Sequence, residues 1–293
     1  MPHLAYVNGR YLPHRHAQVS IDDRASQFAD AVYEVTCIAN GRPVDHAGHL
    51  TRITRSLKEL RISGAPSAAV LTVICRELVR RNRITRGIIY IQISRGIAPR
   101  AHGFPAASVK PSVIVTARAV APPSETVAEQ GAKVITAEDI RWGRCDIKST
   151  SLLPNVLARQ AAVEAKAFET LLYTPEGMVT EASASNAWMV DKDGTILTHP
   201  LGHEILGGVT RAAVIKLAKD AGIPVKERAF TLQEALAARE VFLTGTTTFV
   251  MPIVQVDDRV IANGAPGTVA RTLRARYLAY IAHVTETDAA WNV

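Results

Sequence analysis

Lys148 is the residue of this sequence whose surroundings could support covalent chemistry. It ends the strand-like segment Arg144-Cys-Asp-Ile-Lys148, and the apolar stretch after it leads into a predicted helix. The other eight of the nine lysines lie on predicted helix faces or beside turns and prolines. A lysine held on a rigid strand between apolar segments is poorly hydrated, which favours the neutral amine that Schiff-base formation requires. The alternative is a lysine at a strand end whose charged group reaches solvent.

Glu181 is a second candidate for a chemical role. It lies in the run Met178-Val-Thr-Glu181-Ala-Ser-Ala-Ser-Asn186, among small residues inside a predicted core strand. Burying a carboxylate is unfavourable without a cationic partner, and a pyridinium nitrogen is such a partner. The alternative is a glutamate at a strand edge that faces water.

Three further features could bind a phosphate. The segment Leu206-Gly-Gly-Val-Thr210 opens a predicted helix and leaves backbone N–H groups at its positive end. Thr244-Gly-Thr-Thr-Thr248 ends a predicted strand with hydroxyls, and Arg52 lies off the apolar face of a predicted helix. Each alone is also typical of an ordinary turn, strand or helix surface. Together with a Schiff-base lysine and an acid for a ring nitrogen, they are the groups that a protein supplies to pyridoxal phosphate.

The elements that must position these groups mix strands and helices. In the first half, strands are predicted at 5–12 (a hairpin around Asn8-Gly9), 31–39, 88–94 and 112–117, and helices at 46–62 and 68–83. In the second half, strands are predicted at 133–148, 169–174, 179–190, 195–199, 240–244 and 249–256, and helices at 154–167, 210–221 and 266–282. Alternation places Tyr33, Val35 and Cys37 on one face of strand 31–39. No role is predicted for the residues after Thr285.

Length and composition limit the classes of protein. At roughly 150 residues per domain, 293 residues predict two domains. The paired prolines after Val120 indicate a linker at 119–130, between an N-terminal domain (1–118) and a C-terminal domain (131–293). The net charge of +7 is spread along the chain and aromatic residues make up 5%, which argues against nucleic-acid binding. Surplus arginine suits an anionic small molecule better.

Several other classes lose support from the sequence. No apolar run reaches the roughly 20 residues of a membrane helix, and the first residues carry no secretory signal pattern, so a cytoplasmic protein without a membrane partner is expected. Cys37, Cys75 and Cys145 are too widely spaced for a disulfide framework or a CxxC metal pair, and no metal site is predicted. Dinucleotide-binding, P-loop, zinc-protease and serine-hydrolase motifs are absent from the sequence.

Ordered matches along most of the chain carry a family resemblance. They are Asp30-Ala-Val-Tyr-Glu-Val35, His49-Leu-Thr-Arg52, Ser94-Arg-Gly-Ile-Ala-Pro-Arg-Ala-His-Gly-Phe-Pro105, Asp139-Ile-Arg-Trp-Gly-Arg-Cys-Asp-Ile-Lys-Ser149, Thr180-Glu-Ala-Ser-Ala-Ser-Asn186, Leu206-Gly-Gly-Val-Thr-Arg211 and Leu243-Thr-Gly-Thr-Thr-Thr248. With these segments the chain resembles the fold-type IV (class IV) pyridoxal-phosphate aminotransferases, and among them the D-amino acid aminotransferases most closely. The resemblance implies a mixed α/β (α+β) homodimer, with a smaller N-terminal α/β domain and a larger C-terminal pseudo-barrel domain around the cofactor.

The resemblance also implies a role for individual residues. Lys148 would form the Schiff base with pyridoxal 5′-phosphate and move the proton at the substrate Cα. Glu181 would pair with the pyridine nitrogen, and Leu206 would support the ring. The phosphate would be held by Arg52, the backbone amides of Val209 and Thr210, and the pair Thr246 and Thr247. The substrate, with its α-carboxylate, would be bound by Tyr33, Val35, Arg100 and His102, the last two reaching a site across the dimer.

Three positions depart from the family pattern. Cys37 stands where a lysine is common, and Ala184 and Gly245 stand where serines are common near the cofactor. The expected reaction is transamination between D-alanine and 2-oxoglutarate, which gives pyruvate and D-glutamate. The alternatives on the same fold are an (R)-selective amine transaminase, a branched-chain L-amino acid aminotransferase and an aminodeoxychorismate lyase. A ligand-binding scaffold is the alternative without catalysis.

Overall fold

The computed structural model describes residues 3–287 and Trp291, and the chain divides into two compact units. The N-terminal unit consists of Met1–Pro122, Ile147–Ser151 and Ile281–Val293, and the C-terminal unit of Pro123–Asp146 and Leu152–Tyr280. Lys148 therefore belongs to the N-terminal unit and Glu181 to the C-terminal unit. The predicted domain limits and the linker at 119–130 stay predictions.

The N-terminal unit is built on a six-stranded antiparallel sheet in the order β2-β1-β6-β5-β3-β4. Its strands are β1 (Leu4–Val7), β2 (Arg10–Pro13), β3 (Ala31–Ala39), β4 (Arg42–Pro43), β5 (Gly87–Ser94) and β6 (Ser112–Ala119). Its helices are a 3₁₀ turn (His14–His16), α1 (Arg24–Phe28), α2 (His46–Glu59) and α3 (Ala68–Arg81).

Local sequence chemistry explains the strands of this sheet. The predicted hairpin is confirmed, because Asn8 and Gly9 join β1 to β2 with positive φ values of 46° and 90°. Alternation along β3 is confirmed as well: Tyr33 and Val35 are half-buried, whereas Glu34 is fully buried. The helix α2 packs against β3 and α3 against β6, so one face of the sheet is covered by their apolar sides.

Trp291 contributes to the core of the N-terminal unit, although no role was predicted for this part of the chain. Its side chain is 9% exposed and belongs to the same apolar cluster as the buried residues of α2 and α3. The indole nitrogen donates a hydrogen bond to the Gly41 carbonyl at 3.1 Å. The indole ring also meets the His46 ring edge-on, with a centroid distance of 5.6 Å.

The C-terminal unit contains a ten-stranded sheet in the order β12-β11-β10-β14-β15-β7-β8-β9-β13, with β16 paired to β15. Its strands are β7 (Ala132–Glu138), β8 (Glu169–Tyr173), β9 (Met178–Ala182), β10 (Asn186–Val190), β11 (Ile196–Thr198), β12 (Val225–Glu227), β13 (Phe230–Thr231), β14 (Glu240–Gly245), β15 (Phe249–Val256) and β16 (Arg259–Val260). Its helices are α4 (Glu125–Gln130), α5 (Leu153–Glu164), α6 (Val209–Asp220), α7 (Leu232–Leu236) and most of α8 (Thr268–Thr287). The predicted mixed α/β class is confirmed.

Two predicted strands are wrong in extent. The strand predicted at 133–148 ends at Glu138, because Arg141 N–H bonds to the Asp139 side chain at 3.1 Å instead of a neighbouring strand. The strand predicted at 179–190 is two strands, β9 and β10, joined by a turn in which Ala182 N–H bonds to the Ser185 carbonyl at 2.7 Å. The predicted helices are present, with ends shifted by a few residues. No helix within residues 3–287 is long and apolar enough to span a membrane.

Ala29 ends α1 in the left-handed conformation, with φ 53° and ψ 26°. Because this conformation costs a residue with a Cβ roughly 1 kcal/mol, we expect Ala29→Gly to raise the free energy of unfolding by about 0.5 kcal/mol. Equilibrium denaturation measures the change. The control Ala25→Gly, inside the same helix, is expected to lower stability by a similar amount. A loss of stability in Ala29→Gly contradicts the prediction.

Candidate active site

Lys148 lies in an irregular segment, so the prediction that it ends a strand is wrong. Its carbonyl accepts a hydrogen bond from Tyr33 N–H at 2.9 Å, and its own N–H donates to Ser56 Oγ at 3.3 Å. The next residue, Ser149, forms an isolated antiparallel bridge with Val32. The backbone of Lys148 is therefore held against β3 and α2, which gives it the rigidity that the strand was expected to give.

The Lys148 side chain meets the substrate face predicted on β3. Its Nζ lies 3.3 Å from the Tyr33 hydroxyl and 4.4 Å from the centre of that ring. Tyr33 stacks on Tyr90 at 5.8 Å, and Tyr90 pairs with Val35 across β3 and β5. Burial and the neighbouring Tyr33 raise the pKa of Tyr90 to about 12, so its hydroxyl stays neutral. The structure thus brings together an amine, two phenols and the Val35 side chain.

Cys37 follows Tyr33 and Val35 on the same half-buried face. Burial raises the pKa of this thiol to about 11, so the side chain is uncharged at neutral pH. A lysine at this position would place a positive charge on the face. The face therefore lacks the charge that the family often has at this position.

Glu34 points to the opposite face of β3, where it orients Arg52. Arg52 donates from Nε to Oε2 at 2.9 Å and from Nη2 to Oε1 at 2.5 Å, and His49 Nδ1 lies 3.0 Å from Oε1. Burial alone would raise the pKa of Glu34, but the Arg52 charge and the hydrogen bonds hold it far below its ordinary value. The predicted phosphate ligand Arg52 is thus fixed by a buried carboxylate.

Arg100 and His102 lie on the exposed loop between β5 and β6. Both contact the ring of Phe28, at 4.9 Å for the Arg100 guanidinium and 5.4 Å between the ring centroids for His102. The two side chains that are predicted to bind a substrate carboxylate therefore contact the same aromatic side chain, Phe28.

Glu181 is 7% exposed at the end of β9, as its place in a core strand predicted. Arg141 Nη1 donates to Oε1 in a short ion pair. On the other oxygen, Oε2, Asn186 Nδ2 donates at 3.1 Å and Leu206 N–H at 3.2 Å. Both carboxylate oxygens are thus held in position by donors from Arg141, Asn186 and Leu206.

Arg141 joins two acids of the C-terminal unit, since it also binds Asp139 through Nε at 2.9 Å and Nη2 at 2.6 Å. Burial alone would lower the pKa of Arg141, but its hydrogen bonds to Asp139 and the charges of Glu181 and Asp139 raise it well above its ordinary value. Burial alone would raise the pKa of Asp139, but its hydrogen bonds to Arg141 and Thr180 and the Arg141 charge lower it below its ordinary value. Glu181 is therefore held in place by a network of charged side chains that it forms with Arg141 and Asp139.

Asn186 connects Glu181 to the start of α6. Besides its bond to Glu181, its Nδ2 donates to the Leu206 carbonyl at 2.8 Å. Its Oδ1 lies so close to Gly208 that a Cβ there would approach it to 2.1 Å. Glycine at 208 therefore allows the chain to pass Asn186 as it enters α6. The predicted ring support, Leu206, is half-buried at this point.

The phosphate ligands predicted in the C-terminal unit lie at the start of α6 and in the turn between β14 and β15. Val209 and Thr210 begin α6, whose first N–H groups have no partner within the helix. Thr210 is buried, and its hydroxyl lies 3.4 Å from that of Tyr277. Thr246 and Thr247 form the turn between β14 and β15. These groups match what a phosphate needs: backbone donors at a positive helix end, and hydroxyls.

Several supporting residues were not predicted, namely Phe28, Glu34, His49, Asp139, Arg141 and Asn186. A signal existed for some of them. Glu34 is an acid on the buried side of an alternating strand, and the triplet Asp139-Ile-Arg141 places opposite charges two residues apart. Asn186 also binds Leu206, 20 residues away, and Phe28 contacts Arg100 and His102, more than 70 residues away, so no local pattern indicates these contacts.

Comparisons with known proteins match nearly the whole chain. A family model of amino-transferase class IV matches residues 31–256. The D-alanine aminotransferase of Staphylococcus aureus (strain MSSA476) is 38% identical over 276 residues, which cover 94% of this chain and 97% of that protein. That of Bacillus licheniformis is 40% identical over 267 residues, 91% of this chain and 93% of its own. A solved branched-chain amino acid aminotransferase of T.th., with pyridoxamine 5′-phosphate, has a TM-score of 0.87 and 30% identity, covering 100% of this chain and 97% of that one.

Replacing Arg141 by Met is expected to cost about 3 kcal/mol of unfolding free energy at pH 7, because two carboxylates lose their buried partner. Since Arg141 lowers the pKa of Asp139, the wild-type contribution is present above the ordinary carboxyl pKa and is lost as the pH falls. The deficit of the variant should therefore stay constant from pH 7 to about pH 5 and shrink as the pH falls below about 4 in denaturant titrations.

The control is Arg80→Met, which removes a side chain that is 69% exposed and paired with Glu77. Its loss should stay below about 1 kcal/mol. A deficit in Arg141→Met that grows toward acid pH contradicts the assignment of the network.

Proposed function

Because the chain belongs to the class IV aminotransferase family, we propose that it moves the amino group of D-amino acids, with D-alanine and 2-oxoglutarate giving pyruvate and D-glutamate. The observation that carries this proposal is the Lys148 amine held 3.3 Å from the Tyr33 hydroxyl on a half-buried strand face. The relatives named D-alanine aminotransferase, at 38% and 40% identity, support the D-amino acid as substrate.

The cofactor is pyridoxal 5′-phosphate, which, when bound, accepts the amino group and draws electrons from the substrate Cα. Residues of this chain fit the pyridine nitrogen, the ring and the phosphate of the cofactor. Glu181, held by Arg141, offers a carboxylate oxygen to the pyridine nitrogen, and Leu206 lies beside it to support the ring. The proposed phosphate ligands are Arg52, Val209, Thr210, Thr246 and Thr247. Backbone donors at a helix start, hydroxyls and a guanidinium are suited to a phosphate dianion.

Lys148 is the proposed catalytic residue. Its Nζ would hold the cofactor covalently before the substrate binds and, once released, would move the proton at the substrate Cα. The Tyr33 hydroxyl can accept a hydrogen bond from the charged amine and donate one to the neutral amine. Tyr33 therefore keeps Nζ in place in both protonation states.

The substrate carboxylate is proposed to bind Tyr33, Arg100 and His102, with Val35 shaping the same face. A guanidinium presents two parallel donors to a carboxylate, and the phenol and imidazole add directed donors. Because Cys37 is uncharged, the face suits a small side chain such as that of D-alanine better than an acidic one.

Four alternatives make different predictions about substrates. A branched-chain L-amino acid aminotransferase has one supporting observation, the 30% identity to the solved T.th. enzyme over 100% of the chain. An (R)-amine transaminase has no need of Arg100 and His102, and an aminodeoxychorismate lyase releases pyruvate without an amino acceptor. A ligand-binding scaffold predicts no turnover.

A homodimer in the cytoplasm completes the proposal. On α5, Leu153, Val156 and Leu157 are 68%, 57% and 55% exposed at a spacing that forms one face, which supports an interface with a second copy. The mass in analytical ultracentrifugation tests this, and a monomer contradicts it. The free cysteines Cys37, Cys75 and Cys145 suit a reducing compartment. Recovery from a secreted fraction of cells contradicts the cytoplasmic assignment.

In a titration without keto acid, D-alanine is expected to remove the visible absorption band of the cofactor-saturated protein, and L-alanine is expected to leave it unchanged. The reason is that only one enantiomer presents its Cα proton to Lys148 while its carboxylate is bound. Lys148→Ala should give no turnover. A response to L-alanine or L-leucine alone supports the branched-chain alternative. A response to (R)-1-phenylethylamine alone supports the amine transaminase.

Cys37→Lys is expected to raise kcat/KM for D-glutamate relative to D-alanine about three-fold, because an ammonium on this face attracts a second carboxylate. Added salt should reduce the gain. Cys37→Met is the uncharged control of similar length. An equal gain in the control shows that size, and not charge, determines the preference.

A further inference from the structure

The loop that carries Arg100 and His102 is exposed, yet both of these side chains contact the ring of Phe28. The ring of Phe28 lies 4.9 Å from the Arg100 guanidinium and 5.4 Å from the His102 ring, which is tilted by 56°. Phe28 is the last residue of α1 and is itself half-buried. A single aromatic side chain thus contacts both groups proposed to bind the carboxylate.

Arg24 fixes Phe28 and the loop to each other. Its guanidinium lies 4.6 Å from the centre of the Phe28 ring. Its Nη1 donates to the carbonyl of Ala101, between Arg100 and His102, at 2.6 Å. The Arg24 side chain is 4% exposed, so these contacts are made away from water and resist screening.

Asp30 anchors Arg24 and also the start of the loop. Its Oδ2 accepts from Arg24 Nε and from Arg95 Nε, both at 2.7 Å, and its Oδ1 accepts from Arg95 Nη2 at 2.9 Å. Arg95 also donates to the carbonyls of Leu60 and Arg61 after α2, at 2.7 and 2.9 Å. Asp30 therefore holds the first residue of the loop, Arg95, directly. It holds the middle of the loop, at Ala101, through Arg24.

From these contacts we propose that Phe28, backed by Arg24, Asp30 and Arg95, is a positioning residue for carboxylate recognition by Arg100 and His102. The inference rests on the proposed function. A cation over an aromatic ring uses the face of the guanidinium, whereas a carboxylate binds its N–H edge, so both contacts are compatible. Ordering two exposed side chains before the substrate arrives reduces the entropy lost on binding.

The test compares Phe28→Leu, which keeps an apolar side chain but removes the ring, with Phe28→Trp, which keeps an aromatic face. Phe28→Leu is expected to raise the KM for D-alanine about five-fold and to change kcat by less than about two-fold. Propionate, a carboxylate without an amino group, should lose affinity by the same factor in ligand-observed NMR. Phe28→Trp should retain near wild-type values of both constants.

Outcomes that overturn the inference are specific. An unchanged propionate affinity in Phe28→Leu shows that the ring does not position the carboxylate site. A fall in kcat and in melting temperature with constant KM shows a structural role only. If the wild-type protein does not act on D-alanine, the proposed function fails, and the propionate comparison still decides the role of Phe28 because it needs no turnover.

Discussion

Ion pairs between carboxylates and arginine are the interaction on which the positions of the candidate site residues depend. Glu34 and Glu181 are buried, Asp30 is largely buried, and each of the three is held by at least one guanidinium. Removing a charge from water costs several kcal/mol, so each pair tolerates little displacement. The surplus of arginine that first indicated an anionic ligand is therefore partly used inside the protein, where it fixes residues that are proposed to bind that ligand.

Each of these ion pairs orients a different group that is proposed to bind the cofactor or the substrate. Glu34 orients Arg52, Arg141 orients Glu181, and Asp30 orients the loop of Arg100. Another buried acid, Glu169, differs because burial raises its pKa, and its partners are the backbone and serine hydroxyls of the turn between β9 and β10. Charged pairs thus hold the side chains that are proposed to be functional, whereas the less acidic carboxyl of Glu169 holds a turn of the backbone.

The sequence predicted what depends on local pattern. Alternation identified both faces of β3, the Asn8-Gly9 pair identified the hairpin, and the ordered motifs identified the aminotransferase family and its cofactor, both confirmed. The extent of the strand before Lys148 was wrong because a side-chain bond from Asp139 ends it. Partners such as Arg141 and Phe28 were missed because they meet their targets only in three dimensions. The roles of Lys148 and the other site residues stay predictions, with their surroundings now defined.

The position of Trp291 has a consequence for how the chain is made. Its indole bonds to Gly41, 250 residues earlier, and the N-terminal unit also includes Ile147–Ser151. A ribosome therefore delivers every residue of the C-terminal unit before it delivers the last pieces of the N-terminal one. The first domain synthesised usually folds first. The N-terminal unit cannot fold completely before the C-terminal unit has been synthesised, because it contains later segments of the chain. The contact between Trp291 and Gly41 can therefore form only after the whole C-terminal unit has been synthesised.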